Sequence, residues 1–108
     1  MGYIKHSAVI ITVHGPHTVD IEAFRESLPE EFRPLVIGPV YSVVNMYTTY
    51  AFLPDGSKEG WAESEQGDQF REAFINLFEG PDGVEVEFGG DHHTEFGGPT
   101  VRAIREWD

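Results

Sequence analysis

Two Pro-Asp-Gly strings, at residues 54–56 and 81–83, bracket a single helical segment and push the strand-forming stretches into separate blocks before and after it. Proline presets the first corner of a turn and glycine accepts the dihedrals that close it, so the chain is expected to reverse at both places. That punctuation allows alternating strands and helices in one small α+β domain and argues against a long helical bundle.

Before the first turn, residues 7–13 read Ser-Ala-Val-Ile-Ile-Thr-Val, a β-branched run ended by His14-Gly15-Pro16. Apolar residues occupy both parities of this run, which predicts a central strand buried on both faces. Thr18 stands where an N-cap belongs, Asp20 and Glu22 suit a first helical turn, and Ile21, Phe24 and Leu28 recur at helical spacing until Pro29 closes the helix. Residues 35–53 return to strand character over a length sufficient for two strands. The break falls at Gly38-Pro39 or Asn45-Met46; the second choice is favoured, and it leaves Pro39 inside a strand that must then lie at a sheet edge.

The bracketed segment predicts a helix beginning near Ser64, with Phe70, Ala73, Phe74 and Leu77 as its apolar stripe. Val84, Val86 and Phe88 alternate with Glu85 and Glu87, as in a half-buried strand with its acids outward. A glycine-punctuated loop at 89–99 leads to a last strand at 100–104. The order β-α-β-β-α-β-β over one domain, residues 1–108, predicts a ferredoxin-like split β-α-β: an antiparallel sheet, two helices on one face and an extra C-terminal strand. In that arrangement His6 and the loops at 54–61 and 89–99 share one end, and His14 and His17 take the other.

Charge bears on partners rather than on fold. Twelve of the nineteen acidic residues fall between Asp55 and Glu95 against two bases, Lys58 and Arg71, within a net charge of −12. Such a field repels nucleic acid and anionic membrane and attracts basic protein surfaces and cations. Cysteine is absent, which removes disulfides and thiolate metal sites. The first apolar run spans only about seven residues, too short for a signal segment or a membrane span, so a soluble cytoplasmic location is the expectation.

The opening Gly2-Tyr3-Ile4-Lys5-His6, the loop Pro54-Asp55-Gly56-Ser57-Lys58-Glu59-Gly60-Trp61, the following Ser64 and Gly67-Asp68, and Val84-Glu85-Val86 before Gly89 resemble a group of small bacteriophage and prophage-related bacterial proteins. The resemblance covers most of the chain, and its specific part is the Asp-Gly-Ser-Lys-Glu-Gly-Trp run. Members of the group place Asn-Gly in the central hairpin where this chain has Asn45-Met46. The resemblance implies a small phage-type accessory protein and supplies no catalytic residues.

Asp91-His92-His93 with Glu95 is the string most like chemistry, since imidazole and carboxylate together suit divalent transition metals. It also spells the signature of the DHH phosphoesterases, which resemble large two-domain enzymes with further acidic motifs that have no room here. Adjacent histidines on extended backbone point to opposite sides, and a polar hairpin loop is the favoured reading of the string. No metal or cofactor is expected; the feasible ligand set, were one bound, is His6 and Asp91 together with one of the two loop histidines, His92 or His93. His14 and His17 have no second acid beside them, and Asp20 is explained by the helix dipole. Trp61, in a polar loop, is either an interface anchor or a lid over the helix start.

No residue set with a catalytic mechanism emerges, so an enzyme is not expected. The sharpest feature is a carboxylate stripe of Glu65, Asp68, Glu72 and Glu79, joined by Glu85 and Glu87. Regularly spaced carboxylates can imitate phosphates and occupy a basic groove on a protein partner, or simply solvate a helix face. A competing role is self-association, with the exposed sheet face or an edge strand pairing with a second copy.

Overall fold

The computed structural model describes residues 5–14, 19–56, 62–78, 82–89 and 100–105. It is an α+β arrangement around one five-stranded antiparallel sheet. In chain order the elements are β1 (Lys5–His14), α1 (Ile21–Ser27), a 3-10 helix (Glu30–Leu35), β2 (Val36–Tyr41), β3 (Tyr47–Phe52), α2 (Ala62–Ile75), β4 (Asp82–Gly89) and β5 (Thr100–Arg105). The sheet order is β2-β3-β1-β4-β5. The β-branched β1 therefore takes the central place, and β2, which carries Pro39, lies at an edge.

Register assigns every strand residue to one of two faces. Val9, Ile11 and Val13 of β1 stand opposite Phe52, Tyr50 and Thr48 of β3, and all six are buried. The helices cover this face. Phe24 of α1 lies 6.4 Å from Phe52 and 5.8 Å from Phe74 of α2, while Phe74 lies 5.7 Å from Phe52, ring centre to ring centre. Phe78 completes the cluster against Tyr50 and Phe74, and Phe32 of the 3-10 helix meets Phe70 edge to face at 5.0 Å. Edge-to-face and tilted ring pairs of this kind add to area burial and fix how the layers meet.

The expectation that β1 is buried on both faces is corrected. Its other parity contains Ile10, 44% exposed, and no helix among the described residues packs there. Two helix starts also move. Asp20, not Thr18, caps α1, its Oδ1 accepting from the Ala23 amide at 3.0 Å; Thr18 lies outside the described residues. The second helix begins at Ala62, two residues before Ser64. The 3-10 helix was not anticipated, because Pro34 within it argues against helical geometry from sequence.

The turn between β2 and β3 falls at Asn45 and Met46, both with positive φ. Ser42 supports it, donating its amide to the Tyr47 carbonyl and accepting the Tyr47 amide on its hydroxyl, both at 2.9 Å. At the β2 edge, Arg25 of α1 donates to the carbonyls of Val36 and Gly38, satisfying acceptors that a neighbouring strand would otherwise take. Of the second Pro-Asp-Gly string, Asp82 and Gly83 belong to β4, and Pro81 lies outside the described residues. A Cβ at Gly83 would stand 3.0 Å from the Ile10 carbonyl and from Ile11, a tight approach of β4 to β1 that glycine makes without displacing either neighbour. Among the described residues no helix is long and apolar enough to cross a membrane.

Candidate functional site

Helix α2 docks on the sheet through Gly67, Phe70, Arg71, Phe74 and, just past its end, Phe78. The buried stripe is thus rotated from the one expected, for Ala73 is exposed and Arg71 is only 4% exposed. The cause is visible beneath it. Asp55, from the first Pro-Asp-Gly turn, lies with its Oδ2 3.6 Å from one terminal nitrogen of Arg71, and both side chains are nearly inaccessible. The other terminal nitrogen of Arg71 donates to Asp68 one turn earlier on the helix. Gly67 makes room for the arrangement, since any Cβ at that position would overlap the Asp55 carboxylate.

On β4 the acids face the opposite way from the expectation. Glu85 pairs in register with Val9 and Glu87 with Ser7, both residues of the helix-covered face, whereas Val84, Val86 and Phe88 pair with Ile10, Ala8 and His6 of the uncovered one. Glu85 and Glu87 therefore point toward α2. On β5, Arg102 stands opposite Glu85 and is hydrogen-bonded to it.

These displacements converge on one groove. Asp68, Arg71 and Glu72 of α2, Glu85 and Glu87 of β4, and Arg102 of β5 line a cavity of about 400 Å³. Four carboxylates against two guanidiniums leave it net acidic, with Arg71 paired to Asp68 and Arg102 to Glu85. Glu72 and Asp68 are exposed on the helix side of the opening. Chemically, the groove suits a cationic side chain inserted among its carboxylates, because charge-assisted hydrogen bonds are stronger than those between neutral groups.

Of the stripe expected from sequence, Asp68, Glu72, Glu85 and Glu87 are brought together; Glu65 is exposed but does not line the groove. Helix α2 ends at Ile75, before Glu79. Glu79, Trp61, His17, Asp91, His92, His93 and Glu95 lie outside the described residues. The described histidines occupy opposite ends of β1, with His6 against the Phe88 ring at 5.4 Å and His14 against Tyr47 at 4.8 Å. Among the described residues no group of three or more histidine, aspartate and glutamate side chains is placed to hold a metal ion. The sequence reading missed Asp55, Arg71 and Arg102. A buried arginine has no local signature, although Arg71 being one of two bases in an acidic stretch was a usable hint. No family model, curated protein or solved structure matches this chain.

Proposed function

We propose that this is a non-enzymatic cytoplasmic accessory protein of phage type that works by macromolecular contact, its acidic groove receiving basic side chains of a protein partner. The observation that carries the proposal is convergence: carboxylates from two elements distant in sequence, α2 and β4, line one cavity. A merely solubilising stripe needs only one helix face, whereas here the strand acids turn inward to join it. The phage-type assignment is supported by the resemblance of the Asp55 to Trp61 run, and Asp55 of that run anchors α2 through Arg71. The net charge of −12 disfavours nucleic acid and anionic membrane as partners. For the fold, a ferredoxin-like split β-α-β with an added strand is part of the same proposal, supported by the placement of β3 between β1 and β2 and by both helices lying on one face.

Calorimetric titration with an arginine-rich peptide at low and high salt tests the groove. Binding should weaken as salt rises and should be lost in Glu72→Lys. Glu26→Lys, an exposed change of equal charge on α1, should retain it. Asp68 is a poorer choice for charge reversal because it is bonded to Arg71. Equal binding by both variants would reduce the groove to general acidity and remove the proposal.

A further inference from the structure

The face of the sheet away from the helices carries apolar residues on all five strands, with His6, His14, Asp82 and Arg105 at its margins. Its register positions hold Ile37 and Val40 of β2, Ala51 of β3, Ala8 and Ile10 of β1, Val84 and Val86 of β4, and Val101 and Ala103 of β5. Val101 is 63% exposed and Val40 52%. A pair of hydroxyls on this face, those of Thr12 and Thr49, satisfy one another at 2.8 Å. We propose that this face is the interface of a homodimer, with a second copy of the chain laid sheet against sheet across a two-fold axis.

Charge selects that occupant. The protein carries a net charge of −12, yet among the described strand residues the one acid that register places on this face is Asp82, at the start of β4, and it stands opposite the base Arg105. Glu85 and Glu87 of the same strand are turned to the helix side. A basic partner would be drawn to the acidic side of the molecule and would find here, among the described residues, only Asp82 at the sheet margin, already opposite Arg105 in register. A copy of the same acidic chain meets little repulsion at the contact itself, because both copies present their neutral faces and hold their acids behind them.

Area is consistent with this occupant. Five strands spaced ~4.8 Å apart, each contributing about six residues at ~3.3 Å, give roughly 480 Å² of sheet per copy. Two copies reach roughly 950 Å² from the sheet alone, just short of the about 1,000 Å² that a specific interface should clear. The β2-β3 hairpin continues the apolar surface beyond the sheet, with Tyr47 on the same face and Met46 and Val43 strongly exposed at the tip. A self-complementary patch of this kind closes on itself as a dimer.

Sedimentation equilibrium across protein concentration, at low and high salt, tests the proposal. The wild-type protein should run at twice the monomer mass, and salt should favour the dimer by screening the repulsion between two acidic bodies. Ile10→Lys, at the centre of the face, should give a monomer; Val101→Lys, at an exposed edge position, should weaken association at least tenfold. Far-UV circular dichroism checks that each variant is folded, and Val101→Lys decides the matter if Ile10→Lys is not. Glu72→Lys should leave the dimer intact, which separates this interface from the acidic groove. A wild-type protein that stays monomeric at all soluble concentrations, as it would with the face covered by its own chain or by a different partner, overturns the proposal. So does a dimer that a folded lysine variant leaves unchanged.

Discussion

Asn45 and Met46 sit at φ 70° and 58°. Left-handed backbone crowds a Cβ against the following carbonyl at about 1–2 kcal/mol, a cost that asparagine relieves through local hydrogen bonding and methionine does not. Met46→Gly should therefore stabilise the protein by up to about 1 kcal/mol, with the greater freedom of glycine in the unfolded chain offsetting the rest; the midpoint of urea unfolding reads it. Tyr50 makes a second residue-scale prediction. Burial, and secondarily the neighbouring Tyr41, raise its pKa above the ordinary tyrosine value. In the unfolded chain the phenol ionises near about pH 10, so above that pH the folded protein holds a proton that the unfolded one has released. Stability is full below that point and falls as pH rises toward the folded value. Tyr50→Phe should flatten this alkaline loss in unfolding curves measured across the range.

At the scale of elements, the docking of α2 depends on a contact between helix and loop. Asp55→Ala leaves Arg71 buried with its helix neighbour Asp68 as the remaining partner given by the geometry, and removing one member of a buried ion pair costs about 3 kcal/mol. The double variant Asp55→Ala with Arg71→Met should recover part of that loss, as denaturant unfolding of all three proteins would show. Gly67→Ala gives the sharper sign. On an isolated helix alanine is favoured over glycine by about 1 kcal/mol. Here the added methyl displaces the Asp55 carboxylate, and the variant should be less stable than the parent. A thermal midpoint above the parent's would show that helix propensity, not the packing over Asp55, governs the position.

For the whole molecule, Phe74 is the joint. It is fully buried and touches the rings of Phe24, Phe52 and Phe78, so it ties both helices to the sheet. Phe74→Ala should cost about 3–5 kcal/mol and loosen all layers together. That predicts one cooperative transition at lower denaturant rather than a separate early melting of α2, and hydrogen exchange of α2 amides compared with those of β1 would distinguish the two. The layering also divides the surface. Acids gather on the side covered by helices, and the other side of the sheet is apolar and nearly uncharged. An acidic groove and a self-association face can thus coexist on opposite sides without competing.

The sequence by itself determined the order of strands and helices, the turn at Asn45 and Met46, the edge placement of the strand holding Pro39 and the regional acidity. These are local properties: residue period, turn chemistry and proline's missing donor act within a few neighbours. The side of β4 that meets the helices was decided only in three dimensions. Alternation defines two faces but does not say which is covered, and valine opposite glutamate reads the same either way. The acids were expected outward because an apolar face is usually the buried one, and here the helix side also had to accommodate Arg71 and Arg102. Burying Arg71 required Asp55 to arrive from the preceding loop, a long-range pairing that carries no periodic trace. The groove follows from that pairing, since the rotation that buries Arg71 aims Asp68 and Glu72 at β4.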